Sequence, residues 1–342
     1  MPAASSAAHD LAAQDFRPAG PQPGFVGGTL TSLKDIMAHR ELLGLLTRRE
    51  IKARYKDSVL GFLWSLIRPL TQLFIYWLVL GQFLGAERGI PNFAVYIFTG
   101  LAAWQLFVDI LTGGTGSIVG NSGLIKKVYV PREIFPLAAI GSALFNFAMQ
   151  LVILFGFIAL RGDFAWGSRW VYFPLSLALL MVWATTLGLL LGALNVYLRD
   201  IQYLVEIATI ILFWASPIVY SFTMVQAHAG RLLQQIYLAN PMTLVISGFQ
   251  RAFWTGGDIA TPLMVQAPLQ AYDAAGNAIE GLMGPAQQAV DAAGNLMYDT
   301  PANAVITHLS TRLGLALLVS LVLLWLAQRV FARLQANFAQ EL

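Results

Sequence analysis

Two stretches of this chain, Leu137 to Leu160 and Val171 to Leu194, contain no charged residue at all. A helix of ~20 apolar residues covers the ~30 Å of hydrocarbon in a bilayer. In that medium a backbone must satisfy its own hydrogen bonds, which restricts a crossing segment to a helix or a strand of a closed barrel. By that measure about six runs qualify: Val59 to Leu84, Phe93 to Val119, Leu137 to Leu160, Val171 to Leu194, Ile201 to Tyr220 and Leu309 to Val330. Composition agrees, because only 11% of the 342 residues are charged, about half the share in soluble domains. The expected fold class is an all-α integral membrane protein with six transmembrane helices. Around them we expect an N-terminal amphipathic interface helix, short outer helices before the last span and a small external insertion built as a β-hairpin.

The domain order follows from shifts in composition. Residues 1–28 are rich in Ala, Pro and Gly and lack the apolar core of a signal peptide, so they read as a disordered cytoplasmic tail. Residues 29–57 carry two Ser/Thr-x-x-acid patterns, Ser32 with Asp35 and Thr47 with Glu50, which predict two helix starts. Leu33, Ile36, Met37, Leu43, Ile51 and Tyr55 fall on one side of that segment, and Lys34, Arg40, Arg48, Arg49, Lys52, Arg54 and Lys56 make it cationic. Such helices lie in the headgroup plane of an anionic leaflet, or present a solvated charged face. Residues 58–255 hold the first five spans, with a basic turn at 121–136 and short outer helices at 222–254. The excess of Lys and Arg on the side of the N-terminus, including Lys126, Lys127, Arg132, Arg199, Arg329 and Arg333, places both termini in the cytoplasm.

Polar residues inside apolar spans stand out. Arg68 and Asp109 have comparable depths from the inner face and could pair, and Pro69 should kink the first span or mark its start. Asn146 and Gln150 lie one turn apart in the third span. Gly188 and Gly192 have the small-xxx-small spacing that lets helices approach, most simply within one subunit. Asn240-Pro241 is a good N-cap followed by proline at the first helical position. Residues 256–303 are acidic, without Lys or Arg, and repeat the pentapeptide Asp-Ala-Ala-Gly-Asn at 273–277 and 291–295. This predicts hairpin turns, or else a duplicated flexible linker. The last span and a cytoplasmic end fill 304–342.

Catalytic patterns are missing. Cysteine is absent, no phosphate-cradling G-x-x-x-x-G-K-[ST] occurs, and the four histidines are scattered without metal-ligand spacing. We expect no catalytic residue, no metal and no cofactor in this chain.

Four blocks in order carry a resemblance: RYKDSVLGFLW at 54–64, LIKKVYVPREI at 124–134, LNVYLRDI at 194–201 and SPIVY at 216–220. The chain resembles the permease subunits of ABC exporters for polysaccharides and polyol phosphates, the family that exports O-antigen, teichoic acid, capsule or cell-wall galactan. The resemblance implies a homodimer of six-helix permeases in the cell membrane, each with outer gate helices and each resting on a separate ATPase that binds ATP and magnesium. It also implies that Leu124, Ile125, Lys126, Lys127, Tyr129, Pro131, Arg132 and Glu133 form the coupling element that docks on the ATPase, with Arg199 and Asp200 as a second cytoplasmic contact.

A polyprenyl diphosphate glycan, the substrate so implied, has an anionic head that should meet cations at the inner leaflet. Arg48, Arg49, Arg54, Lys56 and Arg68 are the candidates for it. Aromatic rings suit a wall along which sugars slide, and Trp64, Tyr76, Trp77, Tyr96 and Trp104 are the candidates for that wall, Tyr96 and Trp104 sharing one face. A proton-coupled carrier or lipid flippase using Asp109 or Glu206 without an ATPase is the alternative.

Overall fold

The computed structural model describes residues 27–55, 63–127, 130–161, 167–258, 264–265, 271–272, 278–279, 287–288 and 306–342. The fold is helical. Helix α1 (Gly27–Ala38) and α2 (Arg40–Tyr55) precede α3 (Trp64–Tyr76), which continues as a π-helical stretch, Trp77–Phe83. Next come α4 (Phe93–Gly120), the short α5 (Ser122–Ile125), α6 (Ile134–Arg161) and α7 (Tyr172–Tyr197). After α8 (Ile201–Trp214) the chain makes three shorter helices, α9 (Phe222–His228), α10 (Arg231–Ala239) and α11 (Pro241–Phe253). The chain ends in α12 (Leu309–Leu334) and α13 (Phe338–Glu341). Four two-residue strands punctuate the 256–303 segment, β1 (Met264–Val265) pairing antiparallel with β4 (Gln287–Gln288), and β2 (Ala271–Tyr272) with β3 (Ala278–Ile279). The remainder of that segment, and all of the N-terminal tail expected at 1–28 except Gly27 and Gly28, lie outside the described residues.

Among the described residues four segments are long and apolar enough to cross a membrane: Phe93–Gly120, Ile134–Leu160, Ser168–Tyr197 and Leu309–Asn337. The other two expected spans differ from a single long helix for local reasons. The fifth stops at Trp214 because Ser216-Pro217 follows. Proline lacks the amide a helix needs and biases the preceding residue away from helical geometry. The first changes from α to π hydrogen bonding after Tyr76 and closes at Gly85, whose φ of 72° is left-handed.

The two capping patterns of the N-terminal segment are not helix starts. Ser32 and Thr47 lie inside α1 and α2, and the Thr47 hydroxyl donates back to the Leu43 carbonyl at 2.9 Å, the alternative open to a mid-helix hydroxyl. The break between the two helices falls at His39 instead. Helix α2 is part of the bundle. It packs on α6, with Leu46 buried and Leu42 and Leu43 against the inner ends of the bundle, while Leu33 and Met37 of α1 stay exposed. By contrast Asn240 caps α11 as its sequence predicts, its side chain accepting from the Met242 amide at 3.0 Å.

Helix α4 is the centre of the bundle, contacting α6, α7, α8 and α11. Of its apolar window, 78% is buried within the chain, against 17% for the last span. Its contact with α7 is made by backbone. A Cβ on Gly192 would lie 2.7 Å from the Gly114 carbonyl oxygen, and one on Gly114 would lie 3.0 Å from the Gly188 Cα. The Gly188/Gly192 pair therefore packs within the chain. On the opposite side of the bundle from the N-terminal helices, Asp258 is gripped by Arg169 and by Arg251 (3.4 Å), and the Trp254 indole donates to the Pro91 carbonyl at 2.6 Å.

Gly192→Ala should lower stability by about 1–3 kcal/mol, the cost of overpacking a tight contact. The thermal unfolding midpoint in detergent reads this, with Gly116→Ala as control because nothing lies within 4 Å of its added Cβ.

Candidate functional site

Where α2, α3, α4 and α6 meet, the packing leaves a cavity of about 450 Å3. Its polar lining includes Arg54, Arg68, Gln72, Asp109, Asn146 and Gln150, and its apolar lining includes Trp64, Phe98 and Leu101. Two of the expected diphosphate ligands, Arg54 and Arg68, thus share one cavity with the Asn146 and Gln150 amides. Arg48 is exposed on α2, Arg49 is engaged elsewhere, and Lys56 lies outside the described residues.

Asp109 organises this cavity. It accepts from Gln105 Nε2 at 2.8 Å, one helical turn earlier on α4, and from Asn146 Nδ2 at 3.0 Å across to α6. Its ionic partner is Arg54, with Nη1 3.8 Å from Oδ2. The expected pairing with Arg68 is corrected to this extent. The depth of Asp109 matched that of Arg68, but the last turn of α2 brings Arg54 to the carboxylate, and Arg68 lines the same cavity beside it. The Gln105/Asp109 pair was readable as an i, i+4 contact on one helix face; the Asn146 contact needed the packing of α4 on α6.

The basic turn is built on an apolar foot. After α4 ends at Gly120, the Asn121 side chain donates to the Ser117 carbonyl at 2.8 Å and accepts from the Arg49 guanidinium of α2. Ile125 is buried and Leu124 half-buried among the inner ends of the helices, so the turn is fixed where it meets the bundle. Lys126 and Lys127 are exposed, as are Arg199 and Asp200 in the turn between α7 and α8. Pro131 is half-buried, and Tyr129 lies outside the described residues. Arg132 does not project freely, since its guanidinium sits over the Phe338 ring, 5.8 Å from the centroid.

Glu133 is a correction to the expected row of outward-facing charges. Its side chain is 4% exposed, with Oε1 fully buried and without a hydrogen-bond partner among the described residues. Burial pushes its carboxyl above the usual range, partly offset by hydrogen bonding from its own backbone and from Gln328 of α12. No sequence pattern announces this, because the Gln328 partner lies far along the chain, in the last long helix.

The aromatic candidates divide by burial. Tyr96 is 1% exposed, and its hydroxyl donates to the Tyr220 carbonyl at 2.6 Å and the Pro217 carbonyl at 3.0 Å. Gln250 adds a second bond to Pro217 at 2.8 Å, a contact no sequence pattern announced. Trp104, 7% exposed, packs on Phe107 and Phe213. Both are core residues, Tyr96 bonding residues 217 and 220 and Trp104 packing on α8, so within one chain they do not form a wall. Tyr76 stacks on Phe213, Trp77 packs near Phe74, and Trp64 alone of the five lines the cavity.

Because the folded chain raises the Glu133 pKa, its folded state holds the extra proton. Its stability should fall as pH rises through the ordinary carboxyl range and level off only above the raised value. Glu133→Gln should therefore melt higher than the parent at pH 8, with the gap closing toward pH 4 in a thermal melt across that series.

The profile of the ABC-2 type transporter family matches residues 41–254. The O-antigen export system permease protein RfbA of Myxococcus xanthus is 30% identical over 224 residues, covering 65% of this chain and 84% of that protein. The protein of the same name from Klebsiella pneumoniae is 27% identical over 221 residues, covering 63% and 81%. The polysialic acid transport protein KpsM of Escherichia coli is 22% identical over 209 residues, covering 61% and 79%. The matched region takes in α2 to α11, and so the cavity, the basic turn and the short helices α9 to α11. The chain belongs to the ABC-2 type transporter family.

Proposed function

We propose that this chain is the membrane-spanning permease of an ATP-driven exporter that moves a lipid-linked polysaccharide, carried on a polyprenyl diphosphate, from the cytoplasmic side outward. The observation that carries this reading is the basic turn, a rigid apolar foot at Ile125 presenting Lys126 and Lys127 to the exterior of the chain. Relatives named for O-antigen export and polysialic acid transport support the substrate class. In this reading two copies of the chain assemble and two ATPase subunits supply ATP and magnesium. The turn, with Arg199 and Asp200, passes their movement to α4 and α6. Helix α3 with its π-helical extension, and α8 with residues 216–220, complete six crossings and leave both termini in the cytoplasm. Exposed Phe74, Ile75 and Val79 on the first and Leu204, Ile207 and Ile211 on the second give each an apolar face suited to lipid or a second copy. Residues 256–303 then form an external hairpin-like elaboration.

A proton-coupled carrier is the weaker reading, because Asp109 is committed to Gln105, Asn146 and Arg54 and Glu206 is exposed near a helix end. The paired substitution Lys126→Glu and Lys127→Glu tests the proposal in protein co-expressed with its ATPase. We expect stoichiometric ATPase with the parent chain, glycan-stimulated hydrolysis lost in the double variant, and an unchanged melting temperature. Full coupling in the double variant would place the contact elsewhere.

A further inference from the structure

The cavity joins features that the export reading alone does not explain. Two arginines, and no lysine, line it with a single carboxylate between α4 and α6. A guanidinium forks onto phosphate or carboxylate oxygens, so two in one cavity favour an anion with several oxygens. The carboxylate already present behaves as such an anion, and three groups converge on it. These three holds are unequal. Gln105 and Asn146 bond Asp109 at hydrogen-bonding distance, 2.8 and 3.0 Å, whereas Arg54 stands at 3.8 Å, beyond the ~2.7–2.9 Å of a direct charge-assisted bond. Asp109 thus keeps two donors if Arg54 leaves, and its release does not orphan a buried charge. Arg54, 41% exposed, is open to an incoming group.

We infer that this cavity is a diphosphate site in which Asp109 stands in for the ligand, and that an incoming isoprenoid-linked diphosphate draws Arg54 away from Asp109 to bind it together with Arg68. The amides of Gln72 and Gln150 supply further donors, and Trp64, Phe98 and Leu101 line the side where the first isoprene units would lie. The volume, about 450 Å3, is ample for such a head and falls in the ordinary range of ligand sites. Arg54 lies in the last turn of the helix whose Arg49, five residues earlier, holds Asn121 at the basic turn, so ligand capture at the end of α2 is mechanically joined to the turn through the same helix. This inference rests on the proposed lipid-diphosphate substrate and adds the competitor within the chain.

The purified chain in detergent would be titrated by calorimetry with farnesyl diphosphate, inorganic pyrophosphate and farnesol. Farnesyl diphosphate should bind and farnesol should not. Arg68→Ala and Arg54→Ala should each weaken binding at least tenfold, and both residues are exposed enough for the variants to fold. Asp109→Asn, equal in size but uncharged, should tighten binding at least threefold, which a merely structural aspartate would not do. Pyrophosphate binding as tightly as the farnesyl compound would show a site for the diphosphate group from any source, and much weaker binding would show a site for the lipid-borne head. Unchanged binding in both arginine variants, or weaker binding in folded Asp109→Asn, overturns the inference. The two readings fail separately. Binding in the expected order without export of lipid-linked glycan by the reconstituted complex would sink the substrate reading, whereas export with unaltered binding in Arg68→Ala would sink the site.

Discussion

The close approach of α4 and α7 at Gly114, Gly188 and Gly192 sets the spacing on which the rest of the chain depends. With backbone meeting backbone, α4 is drawn into the middle of the bundle and α6, α8 and α11 pack around it. A bilayer offers no hydrophobic gain for joining two apolar helices, so close packing and shared polar contacts must hold them. The buried Asn195 side chain does both, donating to the Thr115 carbonyl at 3.1 Å one residue from the glycine contact. Because α4 is fixed there, its two ends become reference points. Pro91 anchors Trp254, Tyr96 anchors Tyr220, and Asn121 anchors the basic turn.

How much could be read without coordinates depended on whether a feature was local. The four long spans were legible because a sustained apolar run with few charges, long enough for a full crossing, is itself the signal, and the Asn240 cap was legible because its chemistry lies within three residues. The Ser32 and Thr47 patterns misled for the same local reason: a short motif cannot tell a helix start from a helix interior when α1 and α2 begin earlier. Counting depth along helices put Asp109 opposite Arg68, yet only the tertiary path of α2 could bring Arg54 to it. Glu133 was unreadable, since its partner Gln328 on α12 comes nearly two hundred residues later in the chain. Tyr96 and Trp104, read as sharing one helix face, both lie in the core of a helix that is buried nearly all round.

Helix α2 connects these observations. Leu46 inserts among the inner ends of α4 and α6, Thr47 fills the space above Gly141, and the two arginines beyond it reach different targets. Arg49 bonds the end of α4 and Arg54 faces its middle, five residues or ~7.5 Å apart along the helix. One short helix thus ties the cavity beside Asp109 to the start of the basic turn.

The clamp at Asp258 has a consequence for the chain's tolerance of change. Arg169 and Arg251 hold the start of the outer segment, and the residues where it returns, Ile306 and Leu309, line a small space with Arg251 and Trp254. Both ends of the 256–303 segment are therefore pinned to one patch of the bundle. The entropy of closing a loop between fixed ends grows only with the logarithm of its length, and each doubling costs about 0.6 kcal/mol. A long outer addition at this point is thus nearly free in stability, and homologous chains could gain or shed it without disturbing the helices beneath.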